Sequence, residues 1–327
     1  TGGAGYIGSH TTWQLVEAGY PVHVLDNLYS GHKWAVHGEA KFHEGDIADQ
    51  DRVGQLIREH GIRSVVHFAG HIVVPESVED PGKYYNNNVV GSLNLIQTSI
   101  ESGVSNFVFS SSAAVYGIPD TCPVSESTPL LPINPYGASK LMTEWTLRDL
   151  GRATDGEFNY VALRYFNVAG AHMGEKLGQA TPEATHLIKV ACQAACGLRE
   201  GIAIYGDDYP TRDGTGVRDY IHVDDLASAH LDALAYLRGG NASTILNCGY
   251  GQGYSVSEVI NCVKSVSGVD FPVKIEPRRA GDPPELVADN TQIQRVFDWK
   301  PKYNDLETIC RSAYRWEARL NDQSMSC

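Results

Sequence analysis

The chain has 327 residues, 42% of them hydrophobic and 20% charged, which excludes a disordered chain and leaves ample material for a core. Its 26 Lys and Arg stand against 39 Asp and Glu, a formal net charge of −13 that argues against nucleic-acid binding and anionic membrane surfaces. An anionic small ligand would need a local cluster of Arg or backbone N–H groups.

No apolar run approaches the ~20 residues of a membrane span, and no signal peptide is expected. Seven cysteines, an odd number without a CxxC pair, read as reduced thiols in a cytoplasm. Cys192 and Cys196 share a helix face at i, i+4, and we read them as packing residues. No further His or Cys at ligand spacing completes a set, so no metal is expected.

The chain opens at Thr1-Gly2-Gly3, without Met and without the apolar strand that such a glycine loop normally follows. We therefore expect the first and central strand of the sheet to be missing from this sequence. Downstream, strands are expected at 21–25, 41–44, 64–68, 106–111 and 160–165. Helices are expected at 5–18, 49–60, 82–102 and 135–150. Apolar strands alternating with helices imply βαβ units in a doubly wound parallel α/β sheet. Beyond about Phe166 the rhythm breaks. Short strands at 202–205, 245–248 and 273–275 mix with helices at 182–196, 224–237, 256–266 and 306–319. This pattern implies a dinucleotide-binding domain over 1–167 and a smaller α+β substrate domain over 168–327. The boundary is soft, and the chain can cross between the parts more than once. There is no internal repeat and no low-complexity segment.

Gly2-Gly-Ala-Gly5-Tyr-Ile-Gly8 is a GxxGxxG loop opening a helix. Its glycines permit a tight turn and close approach to a pyrophosphate, which the helix N-terminus then attracts. Asp26 ends the next strand, 24 residues after Gly2. An acid there accepts hydrogen bonds from a ribose diol and repels a 2′-phosphate, which favours NAD over NADP. Asp46-Ile47 follows the next strand and is placed to meet an adenine, although a helix-starting Asp explains it nearly as well.

Tyr136-Gly-Ala-Ser-Lys140 is YxxxK on an expected helix, with both side chains on one face. A tyrosine with a pKa of ~10 must lose ~3 units, or about 4 kcal/mol, to act as a base near neutrality. A lysine ammonium and a nicotinamide cation supply that drop. An amphipathic surface pair is the alternative. The run Phe109-Ser-Ser-Ser112-Ala-Ala-Val-Tyr116-Gly directly follows an expected parallel strand, where ligands of such sheets bind. Ser112 can share a substrate proton with Tyr136; turn chemistry is the competing explanation for the serines.

These motifs occur in order with Asp26-Asn-Leu28, Gly45-Asp-Ile47, Phe68-Ala-Gly70, Tyr84-Tyr-Asn-Asn-Asn88, Arg164-Tyr-Phe-Asn167 and Arg218-Asp-Tyr-Ile-His222. Together the chain resembles the extended short-chain dehydrogenase/reductase family over essentially its whole length, and within that family the nucleotide-sugar 4-epimerases. The resemblance implies an NAD-dependent isomerase of carbohydrate metabolism. Its substrate would be a UDP-hexose, UDP-galactose interconverting with UDP-glucose through a 4-keto intermediate, and the N-acetylated pair is a further candidate. It implies Tyr136 as base, Lys140 as ribose and pKa partner, and Ser112 as the proton-sharing hydroxyl. Gly2, Gly5, Tyr6 and Ile7 would line the pyrophosphate, and Asp26, Asn27, Asp46 and Ile47 would hold the adenosine half. Phe68, Ala69, Gly70, Asn88 and Tyr165 would complete the NAD pocket. Asn167, His186 and Leu187 would meet substrate, with Tyr205 near the uracil. Arg218 and Arg279 would bind the diphosphate, with Asp282 on the ribose. A homodimer is also implied.

Three departures stand out. His71-Ile72 follow Phe68-Ala-Gly70 where some epimerases carry a lysine. His186 stands where some relatives have Asn. Leu286 replaces a bulky Tyr that resembles a gate on the sugar 2-substituent, so N-acetylated sugars are expected to fit. Dehydratases and decarboxylases on this fold place an acid beside the catalytic hydroxyl; here that place is Ala113-Ala114, which disfavours them. An epimerase acting mainly on UDP-GlcNAc or a UDP-uronic acid remains an alternative, as does a non-catalytic NAD sensor, which would have no need of a poised base.

Overall fold

The structure is a computed structural model, and it describes residues 1–181, 184–279 and 281–324. The glycine loop leads into α1 (Tyr6–Glu17), followed by β1 (His23–Asp26), β2 (Lys41–Glu44), α2 (Gln50–His60) and β3 (Ser64–His67). Next come α3 (Val74–Glu79), α4 (Pro81–Tyr84), a wide π-type turn over Tyr85–Gly91, α5 (Ser92–Glu101) and β4 (Asn106–Ser112). Then follow α6 (Pro135–Ala153), β5 (Asn159–Tyr165), β6 (Asn167–Ala169), α7 (Leu187–Ala195), β7 (Ile202–Tyr205), β8 (Val217–His222) and α8 (Val223–Arg238). The remainder comprises β9 (Thr244–Cys248), β10 (Gly253–Ser255), α9 (Val256–Ser267), β11 (Val273–Glu276), β12 (Glu285–Leu286), α10 (Thr291–Phe297) and α11 (Leu306–Ser324).

The main sheet is parallel, in the order β3-β4-β5-β9. Its strands read as continuous apolar runs because helices cover both faces. Val108, Val161, Leu163 and Leu246 face one way and pack on Leu226, Ala229, Ala233 and Leu234 of α8. Phe107, Phe109, Tyr160 and Ala162 face the other way and pack on Leu95, Ile96 and Leu147 of α5 and α6. β1 and β2 form a separate parallel pair, with Val24 opposite Phe42 and Leu25 opposite His43. The first two residues bridge the two pieces. The Thr1 amino group donates to Val66 O at 2.8 Å, Phe68 N donates to Thr1 O at 3.0 Å, and Gly2 N donates to Leu25 O at 2.9 Å. Beneath that bridge lies a cavity of about 350 Å³ whose walls include Leu15, Val22, Val24, Ile57, Val65 and Leu234.

Three expectations need correction. The strand expected at 245–248 within the small lobe is β9, the edge of the main sheet, hydrogen-bonded to β5. The chain has therefore returned to the first lobe, and α8 comes with it to pack on α1 and the main sheet. The single helix expected over 82–102 is interrupted by the turn at Tyr85–Gly91. The helix expected from 182 starts at Leu187, and Pro182-Glu183 lie outside the described residues. The second lobe proper contains the sheet β10-β8-β12 with β6 on β8, the pair β7–β11, and helices α7, α9 and α11 packed together.

Candidate active site

The two lobes meet above the C-terminal ends of the parallel strands, where doubly wound sheets bind ligands. Gly2, Gly5, Asp26, Asn27, Asp46, Ile47, Phe68, Ala69 and Gly70 line one groove there. Gly2 has φ +72, and a Cβ on it would meet Ala69 N at 2.5 Å, so only glycine lets the loop pass under the end of β3. The first turn of α1 has no side-chain cap and no acid, which leaves its N–H groups free for an anion. Asp26 is buried at the rim. Its Oδ2 accepts from Ala4 N at 2.9 Å and its Oδ1 from Leu28 N at 2.8 Å. Asn27 donates to Asp46 Oδ2 at 2.8 Å, which ties together two residues expected on the adenosine side. A glycine cradle, an uncapped helix start and a fixed rim carboxylate fit a dinucleotide. Tyr6 serves the loop differently: its hydroxyl donates to Gly170 O at 2.6 Å and fastens α1 to the second lobe. Ile7 packs into the main core.

The interrupted helix explains Asn88. Within the π-type turn its Oδ1 accepts from His71 N at 2.8 Å, and its Nδ2 donates to His71 O at 2.9 Å and to Ser139 Oγ at 3.1 Å. One amide thus clamps the strand-end loop carrying Gly70 against α6. Such bulges recur at functional sites.

Ser112 ends β4 and caps the short 3₁₀ turn Ala113–Tyr116, its Oγ accepting from Ala114 N at 3.1 Å. Tyr136 sits in the first turn of α6, which starts at Pro135 and is capped by Asn134. A Cβ on Gly137 would meet Ala114 O at 2.5 Å. That missing methylene lets the start of α6 lie directly on the Ser112 turn. Tyr136 is 7% exposed. Burial pushes its phenol above the usual tyrosine value, and the hydrogen bond with Ser112 works the other way. Lys140, one turn on, is 4% exposed and has its Nζ 6.0 Å from the Tyr136 ring centroid. Desolvation lowers its ammonium to about 8, against an opposing contribution from Glu144. Lys140 Nζ donates to Ser110 O at 2.9 Å, while Ser110 Oγ and the Tyr165 hydroxyl lie 2.8 Å apart.

Ser110 thus joins two expected site residues, a role that only its place in the serine run could have signalled. Glu144, one turn beyond Lys140 on α6, is buried and acts on the lysine ammonium. Its Oε1 accepts from Ser111 Oγ at 2.5 Å and from Arg164 Nε at 2.9 Å, and its Oε2 accepts from Arg164 Nη2 at 2.6 Å, so both oxygens are engaged.

The second lobe supplies the remaining residues in two groups. Asn167, His186 and Leu187 share one small cavity between β6 and α7. His186 Nδ1 pairs with Gln179 Nε2 at 2.9 Å, and burial lowers its pKa. Tyr205, Arg279 and Asp282 form the other group at the surface. The Arg279 guanidinium lies 4.7 Å over the Tyr205 ring and donates to Asp282 Oδ2 at 2.9 Å. Arg218 stands on β8 in register with Leu286 on β12. Leu286 packs with Ala113, Phe166 and Ala288, so it borders the Ser112 turn.

The family model described as "NAD dependent epimerase/dehydratase family" matches residues 1–249. The UDP-glucose 4-epimerase of Azospirillum brasilense is 52% identical over 320 residues, which cover 98% of this chain and 91% of that protein. The crystal structure of UDP-glucose 4-epimerase from Brucella ovis in complex with NAD has a TM-score of 0.94 at 44% identity, covering 97% of each chain. The UDP-Glc/GlcNAc 4-epimerase from Campylobacter jejuni has a TM-score of 0.86 at 53% identity, covering 97% of this chain and 98% of that one.

Proposed function

Because the chain belongs to the NAD dependent epimerase/dehydratase family, we propose that it interconverts UDP-galactose and UDP-glucose by inverting the sugar at C4. The observation that carries this reading is the buried Ser112–Tyr136–Lys140 cluster, whose Lys140 Nζ comes close to Gly70 of the glycine-lined groove. Bound NAD supplies the oxidant, and afterwards the reductant, for C4. Tyr136 takes the proton of the C4 hydroxyl and later returns it, and Ser112 shares that proton. The Ser112 hydrogen bond opposes the upward push of burial on the phenol, and the Lys140 ammonium, 6.0 Å from the ring centroid, is placed to favour the phenolate as the C4 proton arrives. Arg218 and Arg279 hold the diphosphate, with Asp282 on the ribose and Tyr205 near the uracil. Asn167, His186 and Leu187 hold the rest of the nucleotide sugar. Anchored at its diphosphate, the 4-keto sugar turns and presents its other face. The cycle is redox-neutral, so the protein has no reason to release its cofactor.

Leu286 supports a second substrate pair. A leucine beside Ala113 leaves more room at the sugar 2-substituent than a tyrosine would, so UDP-GalNAc and UDP-GlcNAc enter as well. The protein acts as a homodimer. Val90 on the interrupted helix and Met142 and Trp145 on the neighbouring α6 are exposed together, and that apolar face suits a second copy. No helix among the described residues is long and apolar enough to cross a membrane. The six cysteines among the described residues are all unpaired, which suits a reducing cytoplasm.

Proton NMR of UDP-galactose with the purified protein and no added cofactor tests the reading. UDP-glucose should accumulate to an equilibrium mixture. A 4-keto-6-deoxy product would make the protein a dehydratase. No product from either sugar pair, with NAD found in the preparation, would make it a sensor.

A further inference from the structure

His23 starts β1, at the end opposite Asp26; His43 stands on β2 and His60 ends α2, and none of the three lines the nucleotide groove. His23 shares a strand face with Leu25, which packs on Val53, Leu56 and Ile57 of α2. His43 is in register with Leu25 on the neighbouring parallel strand and so points to the same side. α2 runs back against these strands and ends at His60, where Gly61 in the left-handed region (φ +61) caps it. Three consecutive elements thus bring three imidazoles to one place. His23 Nδ1 and His43 Nε2 are 3.0 Å apart, and one ligand nitrogen from each ring lies within 4.8 Å of the others. The His23 ring is 4.1 Å from that of His60 and 5.3 Å from that of His43, centroid to centroid.

We propose that His23, His43 and His60 form a binding site for a zinc-type divalent transition metal, held by three neutral imidazoles with a fourth position left to water. The donor set selects the class of ion. Three nitrogens without carboxylate or carbonyl suit zinc, nickel or copper and are wrong for magnesium or calcium. Zinc–nitrogen bonds of ~2.0–2.1 Å in a tetrahedron put ligand nitrogens ~3.3 Å apart. The His23–His43 pair already has about that spacing, and His60, exposed at a helix end, closes the remaining gap by turning its ring. Neutral imidazole is the ligating form, so protons compete with the ion for the three rings and binding should weaken as pH falls. Lys41 and Arg52 are the nearby cations, and Glu59 is an acid that offsets them. The bound ion staples β1, β2 and α2 together and takes no part in the chemistry at Tyr136.

The test uses the NAD-loaded protein, stripped of metal, and Zn(II) in competition with a weak chromophoric chelator. One equivalent should bind, and it should raise the melting temperature. Co(II) in its place should show ligand-field bands without thiolate charge transfer, which separates this site from the cysteines. His43→Gln and His60→Gln should each weaken zinc by more than the ~10–100-fold typical of losing an outer-shell partner. NAD content and turnover should stay unchanged. His60 is exposed, so its variant keeps the fold and remains informative if His43→Gln does not. Zinc bound equally well by His60→Gln, a cobalt spectrum carrying thiolate charge transfer, or no zinc taken from the chelator would each overturn the site.

Discussion

The proposed proton-transfer centre and the proposed diphosphate grip are built differently. Tyr136 and Lys140 are 7% and 4% exposed and are held by backbone geometry: the Asn134 cap, the absent Cβ of Gly137 and the Ser110 carbonyl. In the second lobe, the Arg279 side chain is 54% exposed and pairs with Asp282, while Tyr205 is 43% exposed. The base is thus positioned before substrate arrives, as a reacting group must be. On the proposed reading the surface Arg279 gives up its Asp282 partner for a diphosphate, and an exposed ion pair costs little to break. One region is organised for chemistry and the other for capture, so substitutions in the two should separate kcat from KM.

The largest effect is expected in the first region. Tyr136→Phe should lower kcat by about 10²–10⁴-fold while retaining NAD and UDP-sugar binding, as stopped assays and calorimetry would show. An equal loss in KM would erase the contrast. In the second region, Arg279→Ala should raise KM by about 10–100-fold, the equivalent of a charge-assisted hydrogen bond worth ~1.5–3 kcal/mol, with kcat little changed.

Leu286 lies where the regions touch. Leu286→Tyr should cut kcat/KM for UDP-GalNAc by about 10-fold or more and spare UDP-galactose. Undiminished activity on the N-acetylated sugar would remove Leu286 from substrate selection.

A smaller, graded effect comes from pH. Lys140 is charged below its value of about 8 and loses its proton above it, so turnover should decline through pH 8. Lys140→Arg should carry the decline to higher pH. Between about 8 and the ordinary 10.5 the unfolded chain binds more protons than the folded one, so stability should rise with pH over that window. A melting temperature that falls there on account of Lys140 would contradict the assignment.

The first region was readable in the sequence because its signals are local. A turn of glycines, an acid ending a strand, and a tyrosine and lysine at i, i+4 each place their own side chains within one element. The second region depended more on resemblance, since Arg218 and Leu286 meet only through the register of β8 with a two-residue strand. Other features escaped for physical reasons. Helical periodicity continues smoothly through the turn that positions Asn88, and nothing in the spacing shows where the ladder widens. β9 has the pattern of any short apolar strand, and sequence order does not say which sheet an edge strand will join. The three histidines are separated by 20 and 17 residues, so only the folded β1–β2–α2 unit brings them together.

The most direct test of the account follows the C4 hydrogen itself. UDP-galactose deuterated at C4 is incubated with the protein in ordinary water, and the label is located by mass spectrometry and NMR. If Tyr136 moves only the hydroxyl proton and C4 exchanges its hydrogen with retained NAD, the deuterium appears at C4 of UDP-glucose without loss to solvent. Washout of the label into water would mean that inversion proceeds by proton abstraction from carbon. The roles assigned to the groove, Tyr136 and Lys140 would then be wrong.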